Sequence, residues 1–388
     1  ARDTYQNTQA LNYYVRALVF APQNDLRLQF DLHRECELLL AELGRREGRV
    51  KEFEVLQTLA EQIGMDEMLA YVAYRKSYFE YKGGKYAEAL TLAENAVRLS
   101  KLAGSDSLIV DTLIPLCQAY QRQGQYKEAV SAAEEALELS HRIGYLSGEA
   151  DILTTLGLLH VEMKDPISAV DYYEKGLALF NSIGKPRGAA MPLNNLGNVA
   201  VNQGNFGLAL NYYEQSLRLA REIGSRKGEA LLLGNLGWLS GLLGEYQKAR
   251  LYSERQLVIA REIGDRYSET LSLINLSGQV GALGYHSTAV SFAEQALGLA
   301  RDSKDRNLEA WALTYLGHSL FGSGMIQPAN EAYQAAVDIW MQLDQPVLET
   351  EPRAGLARTY LALKNTSLAM QSVEKILAQL SGGKSLDG

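Results

Sequence analysis

Apolar residues return every three or four positions along most of this chain, the spacing that lines one face of an α-helix. Leu193, Leu196 and Ala200 make one such face, and Ala209, Tyr213 and Leu217 make the next. No run alternates with the period of two that marks a half-buried strand. Turns separate the faces in two interleaved series. Ile63-Gly64, Ile143-Gly144, Ile183-Gly184, Ile223-Gly224 and Ile263-Gly264 all fall on multiples of one 40-residue step. Midway stand Gly84, Gly124, Gly204, Gly244, Gly284 and Gly324, each followed five residues later by an alanine, from Ala89 and Ala129 to Ala209, Ala249, Ala289 and Ala329. A fixed period of this length marks a helical repeat. It predicts helices near 25–43, 66–82 and 106–123, then one per period, alternating with partners near 48–63, 85–103 and 125–143. That makes nine pairs behind a lone helix near 4–20.

The small residues have a physical reason: Gly197 and Ala209 fall where the two helices of a hairpin approach closely, and a larger side chain would push them apart. Leu193-x2-Leu196-Gly197 followed by Ala209 and Tyr213 resembles the tetratricopeptide repeat, and Leu153-x2-Leu156-Gly157, Leu233-x2-Leu236-Gly237 and Leu313-x2-Leu316-Gly317 repeat the pattern. The units are longer than the commonest form, and Leu replaces its first Trp. Long repeats of this kind resemble those of kinesin light chains, of the Leu-Gly-Asn adaptors that orient spindles, and of the sensor arms of bacterial STAND-class signalling ATPases. The wording of Leu32-His33-Arg34-Glu35 and of Leu43-Gly44-Arg45-Arg46-Glu47 is most similar to the last group.

The resemblance implies an all-α, right-handed solenoid of antiparallel helix hairpins. One continuous domain is expected over 1–383, with nine helix pairs over 24–383 and a disordered tail at 384–388. Because Ala10-Leu11-Asn12-Tyr13-Tyr14 matches Ala209-Leu210-Asn211-Tyr212-Tyr213, residues 1–23 read as the second helix of a truncated repeat, with an upstream domain missing.

Taking residue 190 as position 1 of a unit, positions 4, 7, 8 and 11 pack the hairpin and positions 2, 5, 6, 9, 12 and 13 fall on the opposite side. Tetratricopeptide architecture implies that this side of the first helix lines a concave groove. In the four units that start at 190, 230, 270 and 310, none of the groove positions is charged, although 22% of the chain is. An uncharged face that carries aromatics wants a partner. Asn195, Asn235 and Asn275 hold the same position in successive units, with Asn194 and Asn198 beside the first. An asparagine offers both a donor and an acceptor, so a row of them suits the N–H and C=O of an extended peptide. The arrangement resembles the asparagine ladder of several tetratricopeptide proteins. Trp238, Trp311, Tyr315 and His318 complete the expected contact set. The bland alternative is that the asparagines bridge neighbouring helices and bind nothing. Two other functional readings remain: a small effector held against Trp238, Trp311 and Tyr315, or a scaffold that self-associates through the same face. The groove lacks the Lys and Arg of a carboxylate clamp. Earlier in the chain Tyr71, Tyr74 and Tyr78 form a stripe with Arg75 beside it, a second possible contact.

Composition narrows the function further. With 47% hydrophobic residues and 8 prolines the chain buries a core and is not a disordered segment. Lys plus Arg number 38 against 46 Asp plus Glu, a net charge of -8, which gives no general attraction to nucleic acid or anionic lipid. The longest weakly polar stretch, Ala230 to Gly244, is too short to span a bilayer. Two cysteines, Cys36 and Cys117, make no disulfide framework and occupy packing positions, so a reduced, cytoplasmic setting is expected. No zinc or phosphate-loop motif occurs. The groove acids Asp31, Glu35, Glu42, Asp111, Asp151, Glu162 and Glu351 are scattered over several units, with no acid pair among them. The reading is therefore a non-enzymatic protein or peptide recognition arm without metal or cofactor. Pro115, inside a first helix, predicts a kink or local break. Glu229, Glu269 and Glu309, each three residues after Arg226, Arg266 or Arg306, suit a helix start.

Overall fold

The computed structural model describes residues 2–381, and they form nineteen α-helices with no strand among the described residues. The tail expected at 384–388 lies outside them. A leading helix α1 (Arg2–Phe20) precedes nine pairs. The first helices are α2 (Leu26–Glu42), α4 (Asp66–Lys82), α6 (Asp106–Arg122), α8 (Leu146–Glu162), α10 (Pro186–Asn202), α12 (Arg226–Leu242), α14 (Arg266–Ala282), α16 (Arg306–Gly322) and α18 (Thr350–Ala362). Their partners are α3 (Arg46–Ile63), α5 (Tyr86–Ala103), α7 (Tyr126–Arg142), α9 (Pro166–Ser182), α11 (Phe206–Glu222), α13 (Tyr246–Ile263), α15 (His286–Asp302), α17 (Ile326–Gln342) and α19 (Thr366–Ser381). The architecture is an all-α solenoid of helix hairpins. Its residues group into two compact units, Ala1–Gln203 with Arg218–Ser225, and Gly204–Leu217 with Arg226–Gly388.

The small positions behave as the pattern demands. Ala89, Ala129, Ala209, Ala249, Ala289 and Ala329 are all fully buried. A Cβ on Gly157 would lie 2.6 Å from the Tyr173 ring, and one on Gly317 would lie 2.6 Å from the Tyr333 ring. Gly at this place therefore seats a tyrosine of the following helix. Where serine stands instead, as at Ser77 and Ser277, its hydroxyl donates to the carbonyl of Ala89 or Ala289 at 2.9 Å. Turn glycines such as Gly244 and Gly284 close the helices with φ of 77° and 86°. Lys164, Lys304 and Lys364 hold the same left-handed conformation without that freedom.

The helix-start acids do more than face a dipole. Glu269 takes Arg266 from its own first turn at 3.1 Å and Arg261 from α13 at 2.9 Å. Glu309 likewise takes Arg306 and, from α15 at 3.0 Å, Arg301. Each acid ties its first helix to the second helix before it.

The local break expected at Pro115 does not occur. α6 runs unbroken from Asp106 to Arg122 with Pro115 inside it. Pro115 cannot donate to the carbonyl of Asp111, and it is buried, as are Leu113, Leu116 and Cys117 of the same helix. Pro192 inside α10 is tolerated in the same way. At α18 a proline does set a boundary: the period predicts a start near 346, yet 346–349 form turns and the helix begins at Thr350. Pro352 then falls in the first turn, where its missing N–H leaves no helical bond unmade.

Candidate functional site

Four first helices carry the predicted contact residues. α10 belongs to the first unit, and α12, α14 and α16 belong to the second. In the second unit Leu231, Trp238 and Leu242 of α12 are about half exposed, Trp238 at 47%. The face also carries no side chain at Gly241 on α12 and at Gly281 on α14. Position 5 does not belong to this face. Gly234 is buried, Ile274 sits in the core cluster, and Thr314 is fully buried with its hydroxyl on the Ala310 carbonyl at 2.9 Å. Gly234 lies under the Gln256 amide of α13, and successive first helices also touch, with Gln279 Nε2 of α14 reaching the Gly237 carbonyl of α12 at 3.4 Å.

Only part of the expected aromatic set is available. Trp311 meets Trp340 edge to face at 5.5 Å and Tyr315 at 6.4 Å, so much of its ring is spent inside the fold. Tyr315 lies over Gly278, where a Cβ would come within 2.5 Å of the ring. Burial, reinforced by the charge of Glu351, pushes its phenol far above the ordinary range. His318 is also engaged. Its Nδ1 lies 2.7 Å from the Tyr333 hydroxyl and 3.2 Å from an Arg358 guanidinium nitrogen, and its Nε2 lies 3.0 Å from Glu351 Oε1. An arginine keeps its protons, so Nδ1 accepts and Nε2–H donates to the carboxylate. Trp238 is the open aromatic of the group.

The asparagines divide in the same way. In the first unit Asn195 hydrogen-bonds the Tyr173 hydroxyl and accepts from Asn194 Nδ2 at 3.3 Å, which matches the bridging alternative. Asn194, Asn198 and Asn235 each engage a neighbour. Asn275 is half-buried and has no side-chain hydrogen bond among the described residues. The difference is written one helix earlier. The column that holds Tyr173 and Tyr213 has Ser253 ahead of Asn275, and a serine cannot reach where the phenol would. Gln256 stands where the same column has Gly176 and Ser216, and its amide lies against Gly234, 2.5 Å from where a Cβ would be. Ser240 Oγ, Ser253 Oγ, Gln256 Oε1 and Gln279 Oε1 are buried here without a hydrogen-bond partner.

The tyrosine stripe of the first unit is largely self-satisfied. Tyr71 meets Phe30 and Tyr74 edge to face, each at 6.2 Å. Lys82 lies over Tyr78 at 5.2 Å. Arg75, expected as a free cation beside the stripe, pairs instead with fully buried Glu37 at 2.9 Å, opposite Arg49. Two arginines on one buried carboxylate form an internal brace, and removing one partner would leave an uncompensated charge.

An acid pair absent from the sequence reading also appears in the first unit. Asp111 of α6 accepts from the Tyr145 hydroxyl at 3.0 Å, and burial raises its carboxyl. Asp151 of α8 is pushed up to about 6, first by desolvation and then by the charge of Asp111, with Lys185 opposing. The two hold the same place in successive units, so their separation of one repeat was the signal. Burial lifts the Cys36 and Cys117 thiols to about 11 and about 12, which leaves neither a useful nucleophile. Among the described residues no group of three metal-ligating side chains forms, and no helix is long and apolar enough to cross a membrane. Open depressions of about 380, 740 and 240 Å³ occur, and none is lined by Trp238, Trp311 or Tyr315.

A model of the tetratricopeptide repeat matches residues 108–182 and 188–262. No curated protein matches the chain. Among solved structures it is similar to a Signal Transduction ATPase with Numerous Domains protein with a tetratricopeptide repeat sensor from Pyrococcus horikoshii. The identity is 15%, the TM-score 0.69, and the match covers 94% of this chain and 54% of that one, so the chain spans about half the length of that ATPase. The apo form of the quorum sensor NprR from B. thuringiensis is 14% identical with a TM-score of 0.65, covering 92% of this chain and 99% of its own. A Rap protein complexed with Competence and Sporulation Factor is 13% identical at a TM-score of 0.60, with 93% and 99% covered. At these identities the likeness shows the fold.

Proposed function

We propose, from the tetratricopeptide repeats matched at residues 108–182 and 188–262, that the chain is a non-enzymatic recognition arm for an extended peptide or protein segment. The segment lies on the first-helix face of the second unit, with its main chain at Asn275 and an apolar side chain against Trp238. The observation that carries this reading is Asn275, a donor and acceptor pair with no partner of its own on an uncharged face. Its chemistry is that of a peptide group, and Gly281 further along α14 brings no side chain to the face. The likeness to a quorum sensor, to a Rap protein holding a factor and to the sensor of a STAND ATPase favours peptide sensing over scaffolding. In this reading the arm regulates an NTPase of the same longer polypeptide, in a bacterial cytoplasm.

Selection of short linear peptides from a phage library, followed by calorimetry on the enriched sequences, tests it. Asn275→Ala should weaken binding by about 1 kcal/mol, roughly fivefold. Trp238→Ala should cost about 2 kcal/mol or more if the ring is the anchor. Enriched peptides that bind both variants as tightly as the parent would overturn the assignment, and so would a library that yields no binder.

A further inference from the structure

The hairpin of α12 and α13 breaks a pairing that other hairpins keep. Where glycine stands at this place of a first helix, a tyrosine follows in the partner: Gly157 with Tyr173, Gly197 with Tyr213, and Gly317 with Tyr333. Where serine or cysteine stands, alanine follows, as in Ser77 with Ala93, Cys117 with Ala133 and Ser277 with Ala293. Gly237 keeps the glycine but is followed by Ser253. Polar side chains stand where the other hairpins pack a ring. Ser253 Oγ lies 2.9 Å from where a Cβ on Gly237 would be, and Gln279 of α14 is held to the Gly237 carbonyl by one long bond of 3.4 Å. One turn earlier on α12 the Gln256 amide lies over Gly234. Ser253, Gln256 and Gln279 are 0%, 3% and 5% exposed, yet Ser253 Oγ, Gln256 Oε1 and Gln279 Oε1 have no hydrogen-bond partner. Groups buried to this degree are normally paired, and leaving them unpaired costs stability.

The tyrosine hairpins show where such a slot opens. The Tyr173 hydroxyl reaches Asn195 of the next first helix, and the Tyr333 hydroxyl reaches His318 of its own. The same places around Ser253 are Asn275 and Trp238, the open asparagine and the open aromatic. We propose that the slot receives a tyrosine side chain of the bound segment, entering hydroxyl first between Trp238 and Asn275. This rests on the reading that the main chain of the segment lies at Asn275, because a phenol run through the slot in reverse puts its own backbone where the Tyr173 hydroxyl would meet the asparagine. The ring takes the place of the Gln279 amide over Gly237. Its hydroxyl ends at Ser253, where it donates to Gln256 Oε1 and accepts from the serine hydroxyl. Phenylalanine would fill the same space and leave both groups unpaired.

The probe is p-cresol, the tyrosine side chain alone, titrated into the isotope-labelled chain while the side-chain amides of Gln256 and Gln279 are followed by NMR. It needs no peptide, so the slot is tested apart from Asn275. Saturable shifts of both amides on the order of millimolar p-cresol are expected, and toluene, the same ring without the hydroxyl, should bind about tenfold more weakly. Gln256→Ala puts in the residue that Ala96, Ala136 and Ala296 hold at this place, and it should erase the difference between the two probes. Ser253→Leu should abolish binding by filling the slot, with unchanged circular dichroism showing that the fold is kept. No saturable shift in the parent, equal affinity for toluene, or undiminished binding to Ser253→Leu overturns the proposal. Peptides enriched against the parent should carry tyrosine at one fixed position, and its change to phenylalanine should weaken them about tenfold. Enriched peptides that depend on Asn275 and carry no tyrosine would overturn the slot while leaving the groove reading in place.

Discussion

Grafting the Tyr213 and Ser216 pair onto the next repeat, as Ser253→Tyr with Gln256→Ser, tests whether Asn275 is open because its phenol is missing. Gly237 is already in place to seat the ring, as Gly157 seats Tyr173. The change removes two buried groups without partners, Ser253 Oγ and Gln256 Oε1. Each unmade bond of that kind costs about 1–3 kcal/mol. It also adds a phenol hydrogen bond to Asn275, about 1 kcal/mol, and loses the packing of the glutamine stem, about 1–2 kcal/mol. The net expectation is a gain of about 2 kcal/mol. Hydrogen exchange of α13 and α14 reads this locally, which suits a repeat protein whose cooperativity is short-ranged. Exchange there should slow about thirtyfold, while the affinity of selected peptides should fall about fivefold as Asn275 becomes occupied. Unchanged or faster exchange would show that Gln256 fills its site well and that the missing tyrosine does not explain the open asparagine. Slower exchange with unchanged peptide affinity would leave the packing argument standing and remove Asn275 from the site.

Three further outcomes follow from the structure. Lys164→Gly and Lys304→Gly relieve left-handed residues at φ 59° and 57°, and each should stabilise by about 1 kcal/mol in thermal unfolding. Ala249→Leu should destabilise by about 1–3 kcal/mol, because Ala249 is fully buried and its Cβ lies 3.9 Å from where a Cβ on Gly241 would be. Asp151→Asn should stabilise the first unit at pH 7. The folded carboxyl titrates at about 6 against an ordinary 3.8, so wild-type stability from this group rises as pH falls through 6 and levels off near 4. The difference from the variant should therefore vanish on acidification. The carboxyl keeps solvent contact, which holds the effect below that of a buried acid, and a difference independent of pH would remove the raised carboxyl, desolvated and then repelled by Asp111, as its cause.

The helices, their pairing and the small positions were legible because each rests on residues that recur in every unit. Ala209 says little alone, but six alanines on one step state where two helices touch. The candidate face was legible only in part. A helical wheel gives a first helix two sides, whereas in the fold it has three neighbours: its partner, the preceding second helix and the adjacent first helix. Such contacts bury Gly234, Ile274 and Thr314 at the position assigned to the groove, Gly234 under Gln256 of α13. The same limit applies to proline, since local rules predict a break at Pro115 and α6 nevertheless continues through it with Pro115 buried.

The remaining differences lie in departures from the repeat, and these concern function most directly. Asn195 and Asn275 are identical in type and position, yet one is held by the fold and the other is open. What separates them is the residue one helix earlier, Tyr173 in one case and Ser253 in the other. Asp111 and Asp151 likewise look like isolated acids within their own units and become a repelling pair only when successive units are stacked. In a repeat protein the consensus specifies the scaffold, and any residue that satisfies it adds stability without distinguishing one unit from another. Recognition has to come from the places where a column breaks its rule and leaves a polar group unsatisfied or an apolar face uncovered. Ser253 beside Asn275 is such a place in the second unit.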